Sequence, residues 1–299
     1  MVIHVPNRKR NERPETLAAA YERFGWAVHH ADSASHEVFK VFKPSGYATW
    51  DDELKHGGQM HEYVLTHLAE IPDRLSLVVA DSLHNFRACL DNLVYSLALV
   101  NNCGNLNSRK SRECTFPIGK TVAEYTDQVS KGATRHIPAD AQTFIETLQP
   151  YHAGKDAEQH PLNVLRSLSD WDKHRAIPLT FWALTPRGFN VNIPGMKIIM
   201  EKEPLELGTK FMTVKVPPAY SDVDVHPTLQ LYVSIKEPEF LWGVNVMTTL
   251  WHIQNFISES VLKPMALAGF FPDADDGLLT VVTGIVHPYS VRSPTEGAT

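Results

Sequence analysis

The feature that most restricts this chain is an apolar run: Leu75, Val79, Leu83, Phe86, Leu90, Leu93, Val94 and Leu97, set at three- and four-residue steps. An α-helix turns about 100° per residue, so this spacing draws one stripe down a single long helix. A strand would need alternation in twos. Pro72 and Asp73 mark a start, because proline disrupts a helix interior and an aspartate at the entrance can accept from unpaired backbone N–H groups. Asn101, Asn102 and Gly104 mark the end, since Asn and Gly tolerate the left-handed backbone that closes helices. The helical pattern reaches back to Gln59, with Pro72 as a kink or a break between two helices.

The side opposite the stripe is polar. Asp81, His84, Asp91 and Tyr95 share one line, with Arg87 at one edge and Asn92 at the other. On a solvated helix, His84–Arg87 and Arg87–Asp91 are ordinary neighbour pairs. On a central helix the same groups must meet partners on other elements, because buried polar groups are hydrogen-bonded. A second polar run, Asp170, Asp172, Lys173, His174 and Arg175, closes a helix that starts near Pro161. Basic residues there also suit the helix macrodipole. If the two helices pack side by side, the two runs form a salt-bridge network that fixes their register, or they line a small pocket for an anion or a metal.

Around these helices the chain reads as follows. Met1–Pro14 is a polar arm, 15–24 a short helix, and 26–42 one or two strands on the alternation of Val28, Val38, Val41 and Phe42. Residues 105–113 form a polar, basic loop, and 115–118 an extended piece. Short helices follow over 121–129 and 139–148. Strand patterns occupy 181–184, 189–193, 197–201, 209–216 and 230–236, and Trp242–Leu262 returns to helix. The expected fold is α+β, one domain over 1–299: a helical bundle over 59–177 and 242–265, with an antiparallel β-sheet inserted over 180–238 before the last long helix.

Composition narrows the function classes. The formal net charge of −6 argues against a generic basic nucleic-acid coat, although local patches still steer ligands. No apolar run of about 18 residues appears, and the charged start has no apolar stretch of a secretory signal. The three cysteines, Cys89, Cys103 and Cys114, fit structural thiols in a reducing compartment better than a disulfide scaffold. A cytoplasmic protein is expected. The 15 histidines show no His-Glu-x-x-His step, so no metal ligand set and no cofactor are assigned. The Gly-x-Ser-x-Gly elbow, the phosphate-cradling Gly-x4-Gly-Lys loop and the Gly-x-Gly-x-x-Gly turn are absent.

The stretch Arg74–Ala98, with Phe116-Pro117-Ile118 and Asp172-Lys173-His174-Arg175, resembles an uncharacterised bacterial family common in actinobacteria. That family's helix reads roughly Gly-Asp-x-hydrophobic-His-Asn-Leu-Arg-Ser-Ala-Leu-Asp-His. The likeness covers residues 74–177. The Arg-x4-His inside the family pattern is similar to the signature of HEPN ribonucleases, helical bundles that dimerise and cut RNA without metal. In this chain the fifth position after Arg87 is Asn92, which hydrogen-bonds but does not exchange protons near pH 7. The resemblance implies a HEPN-like bundle acting on RNA, as a ribonuclease or a non-catalytic relative, in defence or toxin–antitoxin biology. It implies His84, Arg87 and His174 as catalytic residues. Asp81, Asp91, Asn92, Tyr95, Asp170, Asp172, Lys173 and Arg175 would bind. RNA and a second copy of the chain are the implied partners. Two other classes stay open: a binding or structural protein whose polar face is a salt-bridge network, and a metal-dependent enzyme on a helical bundle. Convergence of the two polar runs is what separates a site from a solvated face.

Overall fold

The computed structural model describes residues 17–43, 46–102, 104–172, 175–183, 188–201, 203–228 and 230–269. The expected N-terminal arm, Cys103, Lys173 and His174 lie outside the described residues.

Helix α1 (Ala18–Phe42) is one 25-residue element, not a short helix followed by strands. Its buried positions, Ala20, Tyr21, Phe24, Ala27, Ala31, Ala34, Glu37 and Val41, recur at helical steps. Four of these are alanines, which give little hydrophobic signal but let helices approach closely. Of the residues read as a strand alternation, Val28, Val38 and Phe42 are half-buried flank positions and Val41 lies on the buried face. The buried Glu37 is held by Lys40 (2.9 Å) and Arg74 (3.2 Å), and the Lys40 hydrogen bond keeps its carboxyl below the usual range.

A hairpin follows, β1 (Ala48–Lys55) and β2 (Met60–Leu68), where the helical pattern was expected to begin at Gln59. In β2 every second residue turns inward: His61, Tyr63 and Leu65 are buried. Its tip uses positive φ at His56, Gly57 and Gly58. A Cβ on Gly58 would fall 2.1 Å from the Ser221 carbonyl oxygen, so only glycine fits there.

Helix α2 (Asp73–Asn101) then runs 29 residues, with Pro72 in extended backbone just before it. All eight residues of the predicted stripe are fully buried. The end is as expected: Gly104, at φ 76°, donates its N–H to Leu99 (2.8 Å). α1 and α2 pack antiparallel. Ser82 Oγ donates to the Ala27 carbonyl (2.8 Å), Arg23 reaches Asn85 (3.2 Å) and Arg74 reaches Glu37.

The expected basic loop contains a one-and-a-half-turn helix, α3 (Ser108–Glu113), started by Asn107 Oδ1 accepting from Lys110 N–H (2.9 Å). α4 (Val122–Ser130), α5 (Ala139–Thr147) and α6 (Pro161–Asp172) match the helices expected there.

The remaining strands do not form a self-contained insertion. β6 (Lys210–Lys215) joins β2, and β5 (Lys197–Met200) joins β6, giving an antiparallel sheet in the order β1-β2-β6-β5. Half of that sheet comes from before α2. β3 (Leu179–Ala183) pairs with β8 (Leu231–Ile235), and β4 (Gly188–Phe189) with β7 (Pro227–Thr228), as separate ribbons. The closing helix starts at Val246 rather than Trp242: α7 (Val246–Asn255) is capped by Asn245 Oδ1. It continues through a π-helical stretch, Phe256–Leu262, into α8 (Lys263–Leu267). α7 packs on α1, α2 and α6, completing a helical bundle. Among the described residues no helix is long and apolar enough to cross a membrane.

Candidate functional site

The polar row of α2 is divided by what stands opposite each part. Its C-terminal half faces the Phe-Pro-Ile segment. Arg87 is bidentate on Asp91 (Nη2–Oδ1 2.8 Å, Nε–Oδ2 3.2 Å) and also donates to the Phe116 carbonyl (2.7 Å). Asp91 Oδ1 accepts the Phe116 N–H (2.9 Å). The pair thus presents one acceptor and one donor to Phe116, as a neighbouring strand would. Phe116 and Ile118 are fully buried. A buried extended segment without a sheet must find other partners for its backbone.

Those partners come from side chains along the whole segment. Gln149 Nε2 donates to Pro117 O (3.0 Å), and its Oε1 accepts from Gly119 N–H (2.9 Å). Gln128 pairs with both the N–H and the carbonyl of Ile118 (3.1 and 2.8 Å). Arg166 on α6 donates to Ile118 O (2.9 Å) and to Glu124 (2.6 Å). Burial pulls the Glu124 carboxyl upward, but the Arg166 hydrogen bond and Lys120 N–H outweigh it, and the net position is below the usual range. Gly119 completes the fit, since a Cβ there would meet Tyr125 at 2.7 Å. The sequence reading missed Gln128, Gln149 and Arg166. A glutamine that satisfies backbone looks in sequence like any surface glutamine.

The N-terminal half of the row faces the end of α6. Asp81 and His84 are exposed. Asp172, the last residue of α6, is half-buried; burial pushes its carboxyl up, the Asp81 charge pushes the same way, and His84 opposes. Of the second run, Asp172 stands within the electrostatic reach of Asp81 and His84. Ser76 Oγ fixes the geometry by donating to Ile177 O (2.7 Å), which ties the chain after α6 to the first turns of α2. Arg175 stacks its guanidinium over the Trp171 ring at 4.8 Å, directed to α6 rather than to His84. Asp170 is exposed and has a partner of its own. Asn92 is half-buried, and Tyr95 packs against the core. Among the described residues no group of three or more His, Cys, Asp or Glu is placed to hold a metal ion.

Burial pushes the Cys89 and Cys114 thiols up, away from the reactive thiolate. Compared with protein-family models, with curated proteins and with solved structures, the chain has no match, so the reading of the site rests on its own geometry.

Proposed function

We propose that the chain is a non-catalytic, HEPN-like helical protein that binds RNA without cutting it. The observation that carries this reading is the engagement of Arg87. Its Nε and Nη2 donors are held by Asp91 and the Phe116 carbonyl, which commits most of the guanidinium to structure rather than to a scissile phosphate. Asn92 in place of a histidine removes the proton-transfer partner as well. His84 stands one turn away and is exposed. RNA as the ligand class, and a second copy of the chain as partner, follow from the likeness of the long helix.

The test uses labelled single-stranded RNA and the full chain, with EDTA and separately with Mg²⁺. The expected result is a retarded complex and RNA intact on a denaturing gel. Cleavage that disappears in Arg87→Gln would overturn the non-catalytic reading. Failure to retain RNA would overturn the ligand class.

A separate observation favours a second reading. Asp172, half-buried with its carboxyl raised by burial and by the Asp81 charge, is the type of group that serves proton transfer. The RNA assay discriminates: cleavage by the wild type that is lost in Asp172→Asn but kept in Arg87→Gln supports an enzyme on this bundle.

A further inference from the structure

A built charged surface lies just before the Phe-Pro-Ile segment, where two arginines and a histidine converge on one carboxylate. Glu113 pairs with His136 (2.8 Å) and Arg109 (3.3 Å), and Arg135 stands 3.7 Å away. The His136 hydrogen bond holds the Glu113 carboxyl below the usual range, and the Arg109 and Arg135 contacts act in the same direction against the effect of burial. The side chains are layered: Glu113 and His136 are 19 % and 12 % exposed, while Arg109 and Arg135 are 84 % and 52 % exposed. The carboxylate is therefore an anchor underneath, with guanidinium groups outside. Asn101 and Asn102, at the end of α2, donate to the His136 carbonyl (2.9 and 3.0 Å) and fix the hub to the long helix.

Further cations extend the surface. Lys110 and Arg112 stand on α3 beside Arg109. Lys131, on the turn below Glu113, is 72 % exposed and pairs with Asp127. Gly132 lets that turn come close: it sits at φ 110°, and a Cβ there would lie 3.2 Å from Glu113 Oε2. Arg109, Lys110, Arg112, Lys131 and Arg135 thus stand against Glu113 and Asp127, on a chain whose net charge is −6. A locally positive ridge on an acidic chain concentrates a polyanion at one place and repels it elsewhere.

We propose that this ridge takes the phosphate backbone of single-stranded RNA, an inference that rests on the RNA-binding reading above. Three of its five cations are arginines, whose planar forks match phosphate oxygens. α3 has six residues and is about 9 Å long. That is too short to run along a duplex groove, whereas a flexible strand can lie across it. Contacts from Lys and Arg to the phosphate backbone make the binding salt-dependent and sequence-independent.

The experiment measures fluorescence anisotropy of a labelled 20-nucleotide single-stranded RNA at several salt concentrations. The wild type is compared with Arg109→Glu/Arg112→Glu and with Lys197→Glu/Lys215→Glu, two exposed lysines on the sheet that give the same change in net charge. Melting temperatures check that both variants fold. The ridge variant is expected to bind at least about tenfold more weakly, with a salt slope shallower by about one to two. The sheet variant is expected to stay within about twofold of the wild type. Equal losses in both variants would show a net-charge effect and overturn the ridge. Tighter binding of a poly-glutamate peptide or duplex DNA than of RNA would assign the surface to another partner and also overturn it. RNA binding that survives intact in the ridge variant would reject the ridge but leave the RNA reading standing. No RNA binding by the wild type would reject both.

Discussion

The two halves of the α2 polar row are equivalent in sequence chemistry and opposite in role. Arg87 and Asp91 have 25 % and 34 % of their side chains exposed and hydrogen-bond both backbone groups of Phe116. Two turns earlier, Asp81 and His84 reach solvent and share the field of one half-buried carboxyl, Asp172. The difference lies in the opposing element. An extended segment with unpaired backbone recruits the charges as structure, whereas a helix end leaves them at the surface. A polar stripe acquires its meaning from what packs on it.

The comparison breaks most readily at Asp91. Asp91→Ala leaves the Phe116 N–H without its acceptor and a half-buried guanidinium without its counter-charge. The expected loss is about 3 kcal/mol, or roughly 6–10 °C in the melting temperature. A fall under about 2 °C would place the network on the surface with Asp81 and His84.

A contrast between two histidines sharpens the same point. His84 is exposed, while His160 packs edge-on against Phe256 (4.8 Å), and its Nδ1 accepts from Leu162 N–H (3.3 Å). Burial pushes the His160 imidazole down to about 4. The unfolded chain, near 6.5, takes the proton first, so this stabilisation is complete above about pH 6.5 and is lost as pH falls toward 4. By pH 5 the loss is about 2 kcal/mol. His160→Asn keeps a capping acceptor and cannot titrate. Its melting temperature is expected to fall less between pH 7 and pH 5 than that of the wild type, by roughly 4–8 °C. Parallel pH curves for the two proteins would contradict this.

The smallest effects belong to the exposed half. His84→Ala is expected to change stability by no more than about 0.5 kcal/mol. A carboxyl raised in the folded state opposes folding at neutral pH, and acidification relieves it. Asp172→Asn is therefore expected to raise the melting temperature by about 1–2 °C at pH 7, with the gain vanishing in mild acid. A marked destabilisation by either substitution would make this half structural too.

Elements with a strong period were legible. The eight-residue stripe of α2 is the core face, and its glycine-closed end lies where Asn102 and Gly104 place it. The short helices α4, α5 and α6 follow their caps and prolines. α1 differs from the strands expected there because half of its buried face is alanine, which carries little apolar signal. β2 was misread because Met60, Tyr63, Val64 and Leu68 fit helical steps, while His61, Tyr63 and Leu65 fit alternation. β1 exposes most of its residues and carries no alternation to read. In the site, Asp81, His84, Arg87 and Asp91 were legible as a row; Gln128, Gln149 and Arg166 were not, because their partners are backbone atoms distant in sequence.

By itself the sequence determined the local elements and the faces they present, because apolar periodicity, caps and turn residues act over a few neighbouring positions. It placed a polar row along the outer side of α2 and a second run at the end of α6. Only the tertiary structure decided that Arg87 and Asp91 bind Phe116 while Asp81 and His84 stay exposed within the electrostatic reach of Asp172. That choice depends on which backbone groups remain unpaired after the chain packs, and pairing between distant segments leaves no period in the sequence.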